Sequence, residues 1–193
     1  MSRSVDRIAQ PLVAPTRALR ETPSQTAGPY VHIGCAPRAA GWSAGSFLDA
    51  WGPDLGSGPA FPDADTRLRI TLIDGAGDPV TDALVETWQC DRDGRFHATR
   101  AGFARRATDG TGTVEIETVL PGGGHPFVSV WIAARGIGLG LHTRIYFAPF
   151  DLARTGEARR ATMIATRDGG GWRHAIRLGD TPDGGRETVF LDV

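Results

Sequence analysis

The sequence predicts an all-β fold, a two-sheet β-sandwich with long loops and an extended N-terminal arm. Three observations carry this prediction: short segments alternate apolar and polar residues, turns rich in Gly, Asp and Pro separate them, and only one stretch carries a helical pattern. With 193 residues, 40% of them hydrophobic, the chain has the size and apolar content of a single domain. The expected division is a flexible arm over residues 1–20 and a sandwich domain over residues 21–193.

From Met1 to Arg20, Arg, Ser, Ala and Pro are mixed without period, as in a terminus that nothing ties down. In Thr22–Tyr30 two prolines and a glycine favour an extended or turning path over a helix. Between Ala40 and Asp65, Gly, Pro, Asp and Ser predict a long loop pinned by Trp42, Phe47, Trp51 and Phe61. The first strand starts at Thr66, where Leu68, Ile70 and Leu72 alternate with Arg67, Arg69 and Thr71. Asp74–Pro79 turns the chain into a second strand over Ala83–Cys90, which Asp91–Gly94 closes. After Asp109-Gly110, Val114, Ile116 and Thr118 mark a third. Phe127–Ala134 is almost continuously apolar, as expected of a strand covered on both faces. Leu141–Phe147, Arg173–Leu178 and Thr188–Val193 complete the predicted set. Asp151–Ala165 is the one candidate for a short helix, and Gly156 interrupts it.

The 21 Lys and Arg balance 22 Asp and Glu, so a formal charge of -1 gives no overall attraction for nucleic acid or an anionic membrane. The first twenty residues contain four arginines and no continuous apolar stretch, which argues against a secretory signal, and no run is long enough to span a bilayer. Cys35 and Cys90 stand alone and are expected as buried thiols in a reducing cytoplasm.

Local motifs support little chemistry by themselves. Gly122–Gly124 and Gly169–Gly171 lack the Lys-Ser/Thr of a phosphate loop and are better explained as hairpin turns. No serine sits in a nucleophile elbow, and none of the five histidines forms a His-x-His pair. His142, Arg144 and Tyr146 share a strand face by period-two geometry and could bind an anion or a metal, although Arg144 would repel a cation; a polar cluster inside the sandwich is the structural alternative. Arg135 ends an apolar strand and precedes Gly136, so its guanidinium projects from a sharp turn and suits a planar carboxylate. Trp88 and Trp131 are expected in the core.

The order of Thr22–Tyr30, Leu84–Cys90, Asp91–Phe96, Thr108–Thr113, Ala134–Gly136 and His142–Phe147 resembles that of the intradiol ring-cleavage dioxygenases, specifically the α-subunit family of protocatechuate 3,4-dioxygenase, from about Thr22 to Val193. The resemblance implies an enzyme built from homologous α and β chains that cleaves protocatechuate with dioxygen to 3-carboxy-cis,cis-muconate. It places ferric iron in the partner β subunit, on two tyrosines and two histidines, and none in this chain. Where iron-bearing relatives carry Gly-Arg-Tyr, this chain has Gly94-Arg95-Phe96; Gly122–Gly124 follow Pro121 where a second tyrosine is expected. Phe127 and Ser129 stand at the His-x-His positions, and Arg144 replaces a neutral glutamine. The resemblance also implies that Thr26, Gly28, Pro29 and Tyr30 shape the partner's pocket and that Arg135 lies near its substrate. Two other expectations compete: a stand-alone sandwich that binds aromatic acids without catalysis, and a self-sufficient metal enzyme using His125, His142, Tyr30 and Tyr146.

Overall fold

The computed structural model describes residues 26–42, 53–147 and 157–192. Eight strands run in chain order: β1 Thr66–Ile73, β2 Leu84–Trp88, β3 Phe103–Ala107, β4 Thr113–Thr118, β5 Phe127–Ala133, β6 Leu141–Tyr146, β7 Thr166–Asp168 and β8 Gly171–Arg177. A short helix α1, Pro29–Cys35, precedes them, and α2, Glu157–Arg160, continues into a 3-10 turn over Ala161–Met163. The first sheet has the order β4-β1-β8-β7 and the second β3-β2-β5-β6. All pairings are antiparallel except β1 with β8.

The core lies between the sheets. The first contributes Leu68, Ile70, Leu72, Val114, Ile116 and Ile176; the second answers with Val85, Ala104, Val128, Val130, Ile132 and Ile145. Each of the larger aliphatic side chains contributes about 1.5–3 kcal/mol by leaving water. A second link between the layers is polar. Gln89, just past β2, receives a hydrogen bond from Thr118 Oγ1 at 2.8 Å and donates to Val119 O at 2.8 Å.

Thr66–Ile73 and Thr113–Thr118 fall where alternation predicts strands. β5 is the central neighbour of β2 and β6, but only its Val128, Val130 and Ile132 side is fully buried; Phe127, Ser129 and Trp131 are half-buried. Trp88 and Trp131 therefore belong to the outer face of the second sheet, not to the core.

Several expectations need correction. Pro29 does not prevent a helix at Tyr30, because it occupies the first helical turn, where its missing N–H costs nothing. Thr188–Asp192 forms no strand, since its bonds go to different elements: Thr188 N to Arg177 O, Thr143 Oγ1 to Val189 O and Leu191 N to His142 O. The predicted helix is limited to Glu157–Met163 among the described residues, and a strand begins by Thr166. Gly169–Gly171 does close the β7–β8 hairpin, whereas Gly122–Gly124 lies on a crossover from one sheet to the other. Cys90 is buried, but Cys35 is only partly covered. Phe61 pins its loop by entering the core, while Trp42 is exposed. Phe47, Trp51 and the arm over residues 1–20 lie outside the described residues.

Candidate functional site

β5 ends at Ala133, and the chain turns through Ala134, Arg135 and Gly136, whose φ of 88° is readily adopted by glycine. Thr26 docks on this turn. Its Oγ1 accepts a hydrogen bond from Gly136 N at 2.6 Å and donates to Ala134 O at 3.3 Å, so one hydroxyl spans the backbone on both sides of Arg135. The Arg135 side chain is 80% exposed, and its Nε lies 3.1 Å from Asp82 Oδ2.

Two residues after Thr26, Gly28 caps α1 with extended backbone and accepts from Val31 N at 3.0 Å. Pro29 opens the helix, and Tyr30 is 82% exposed. The other end of α1 is tied to the second sheet: Arg105 donates to Cys35 O at 3.2 Å while its Nε and Nη2 hold Glu86 Oε1 at 2.7 and 2.6 Å. The structure thus joins Thr26 directly to the Arg135 turn and puts Gly28, Pro29 and Tyr30 on the segment leading away from it.

The positions that the resemblance assigns to iron ligands meet on and beside the outer face of the second sheet. Cross-strand register forms two rows there, Trp88–Ser129–Arg144 and Glu86–Trp131–His142. An aromatic chain runs alongside: Trp88 stacks on Phe96 at 6.3 Å, Phe96 meets His125 at 5.3 Å, His125 meets Phe127 at 6.1 Å, and Phe127 meets Tyr146 at 5.6 Å. The Arg144 guanidinium lies 4.2 Å from the centre of the Phe127 ring. His142, Arg144 and Tyr146 do share a face, but it is the outer face of the sheet and not its interior.

Below this face two turns are pressed together. A Cβ added at Gly122 would lie 1.6 Å from Arg92 O, and one at Gly94 would lie 2.9 Å from Gly123 Cα. Asp91 organises the first turn, its Oδ1 accepting from Asp93 N and Arg95 N while Oδ2 meets His97 Nε2 at 2.8 Å. Its carboxyl pKa is held below the usual range, first by the Arg95 amide, with His97 and the Asp93 amide adding to the effect. Burial pushes the neighbouring Cys90 thiol up.

This surface does not fit ferric iron. Phe96 and Phe127 offer no donor oxygen or nitrogen, Ser129 offers only a neutral hydroxyl, and Arg144 adds positive charge. Among the described residues no group of three or more His, Cys, Asp or Glu side chains could hold a metal ion. Of the alternative set His125, His142, Tyr30 and Tyr146, the strand spaces His142 and Tyr146 about 13 Å apart at their Cα atoms.

No family model matches the chain. It is 35% identical over 201 residues to the protocatechuate 3,4-dioxygenase alpha chain of Burkholderia cepacia, covering 91% of this chain and 98% of that one. Identity to the alpha chain of Pseudomonas putida is 34%, over 92% and 99% respectively. The chain belongs to the protocatechuate 3,4-dioxygenase alpha-chain family. It is therefore a subunit of an intradiol-type dioxygenase. Solved structures agree on the fold: catechol 1,2-dioxygenase from Pseudomonas arvilla C-1 superposes with a TM-score of 0.50 at 19% identity, covering 68% of this chain and 61% of that one. The enzyme from Acinetobacter sp. ADP1 gives 0.50 at 17% identity, with 69% and 62% covered.

Sequence reasoning missed Asp82, Glu86 and Arg105. Glu86 carried a usable signal, a carboxylate in a strand between Leu84 and Trp88, where a half-buried charge requires a partner. Nothing local to Asp82 points to Arg135.

Proposed function

We propose that this alpha chain is the iron-free subunit of a heteromeric protocatechuate 3,4-dioxygenase. In this reading it completes the substrate pocket of a homologous, iron-bearing beta subunit for intradiol cleavage to 3-carboxy-cis,cis-muconate. The observation that carries the proposal is the Thr26 hydroxyl held by Ala134 O and Gly136 N beside the exposed Arg135. One hydroxyl thereby couples the N-terminal segment to a guanidinium turn, so both can be presented to a partner together.

Protocatechuate carries a carboxylate on its ring, and Arg135 is the group suited to receive it. Asp82 engages Nε, leaving the two Nη groups for a bidentate contact. Tyr30, exposed at the start of α1, would supply further surface to the same pocket. Ring opening with dioxygen belongs to the partner, because the Phe96, Phe127, Ser129 and Arg144 surface does not suit iron. A higher αβ oligomer and a cytoplasmic location are parts of the same proposal.

Purification with and without a matching beta chain tests it. Iron is expected only in the complex, with ring cleavage of protocatechuate by the complex alone. Arg135→Ala in the assembled complex is expected to raise KM for protocatechuate about tenfold without loss of assembly. Full iron occupancy and ring cleavage by the lone chain would overturn the proposal; unchanged kinetics in Arg135→Ala would remove the role assigned to that residue.

A further inference from the structure

A hollow on the outer face of the second sheet is separate from the Arg135 turn. The two cross-strand rows of the second sheet's outer face set large side chains around one small one. On β5 the outward series is Phe127, Ser129, Trp131, and Ser129 is flanked across the strands by Trp88 and Arg144. The short Ser129 side chain leaves a hollow of about 230 Å³ bordered by Trp88, Ser129, Trp131, His142 and Arg144. That is below the range of about 300–1,000 Å³ for drug-sized ligands and suits a single-ring molecule.

The walls are fixed. Trp131 is held from behind by the chain at Gly140, where an added Cβ would lie 2.0 Å from its Nε1, and the Trp131 ring lies 6.5 Å from that of His142. The charge is also uncompensated. Glu86 borders the same hollow, but Arg105 already holds its carboxylate. Arg144 has no ion pair among the described residues and rests on the Phe127 ring. A hollow of about 530 Å³ on the first sheet differs on this point: its Arg67 and Arg69 are matched by Glu115 and Asp168.

A positive planar group, a hydroxyl and two indole side chains bordering a small hollow define one ligand chemistry. We propose that this hollow binds a planar aromatic monocarboxylate, its carboxylate on Arg144 and Ser129 and its ring against Trp88 and Trp131. The site does not use Arg135, and it stands whether or not the chain serves a beta subunit.

The test is calorimetric and fluorescence titration of the full chain, without a beta subunit, using 4-hydroxybenzoate. One saturable site per chain is expected. Arg144→Gln should weaken binding at least tenfold, Ser129→Phe should abolish it by filling the hollow, and Arg67→Ala, on the other sheet, should leave it unchanged. Phenol, which has the ring without the carboxylate, should bind at least tenfold more weakly. Thermal melting checks that each variant folds; should Ser129→Phe not fold, Ser129→Leu takes its place. Absence of saturable binding overturns the proposal. So does binding that survives both Arg144→Gln and the filled hollow, that phenol matches, or that is lost in Arg67→Ala. Failure of the chain to assemble with a beta subunit would instead count against the subunit role alone.

Discussion

On the outer face of the first sheet, Arg67 and Arg69 of β1 pair with Glu115 of β4, and Arg69 also meets Asp168 of β7, all with side chains at least 40% exposed. On the outer face of the second, half-buried Trp88, Phe127 and Trp131 surround Arg144, and the Glu86–Arg105 pair is only 25% and 17% exposed. The first face is a solvated charge mosaic in which Arg67 and Arg69 are matched by carboxylates, while Arg173 of β8 stands exposed beside Arg69. The second gathers apolar rings around Arg144, which has no ion pair among the described residues. Two sheets closing one core can therefore be specialised independently on the sides that do not touch it.

The largest test of this contrast concerns the glycines below each face. Gly122→Ala should cost at least about 3 kcal/mol, because its Cβ would strike backbone and not a movable side chain, whereas Gly170→Ala, with open space around it, should change stability by less than about 0.5 kcal/mol. Equal unfolding midpoints in denaturant would contradict the tight seating of the crossover.

Acid stability probes the first sheet from within. His174 is buried on β8, its Nδ1 reaches Ile164 O at 3.3 Å, and burial lowers its pKa from 6.5 to about 4. The folded state remains neutral where the unfolded chain takes up a proton. This contribution is therefore complete above pH 6.5 and is lost as pH falls towards 4, by about 3 kcal/mol over the window. Urea midpoints measured from pH 7 to 4 should show that slope, and His174→Leu should flatten it; an unchanged slope would assign the acid sensitivity to other groups.

Breaking an ion pair on each face should give unequal losses. Glu86→Ala strands Arg105 and loosens its hold on the end of α1, for about 2 kcal/mol. Arg69→Ala removes exposed, screened contacts and should cost less than about 1 kcal/mol. Equal losses by chemical denaturation would erase the distinction between the faces.

What could be read from the chain followed how local each signal was. β1 and β4 announce themselves through Leu68, Ile70, Leu72, Val114 and Ile116, because alternation is written into adjacent residues. β3 escaped notice because it is an edge strand whose Phe103-Ala-Arg-Arg-Ala run carries two arginines, and β7 because its three residues are all exposed. α1 was hidden by residues that usually break helices but here begin one. The expected role of Arg135 came from resemblance, since an arginine before a glycine is common. Its links to Asp82 and Thr26 join distant parts of the chain, and no window of sequence contains them.

The Thr26 hydroxyl also imposes an order of events. Its two partners lie 108 and 110 residues further along the chain, on a turn that exists only once β5 has found its neighbours. Closing so long a loop for two hydrogen bonds is unfavourable until the rest of the sandwich has already brought the ends together. The Thr26 bonds are consequently expected to form late, after the second sheet has paired. A chain that offers this segment to another molecule thereby certifies that its own sheets are complete.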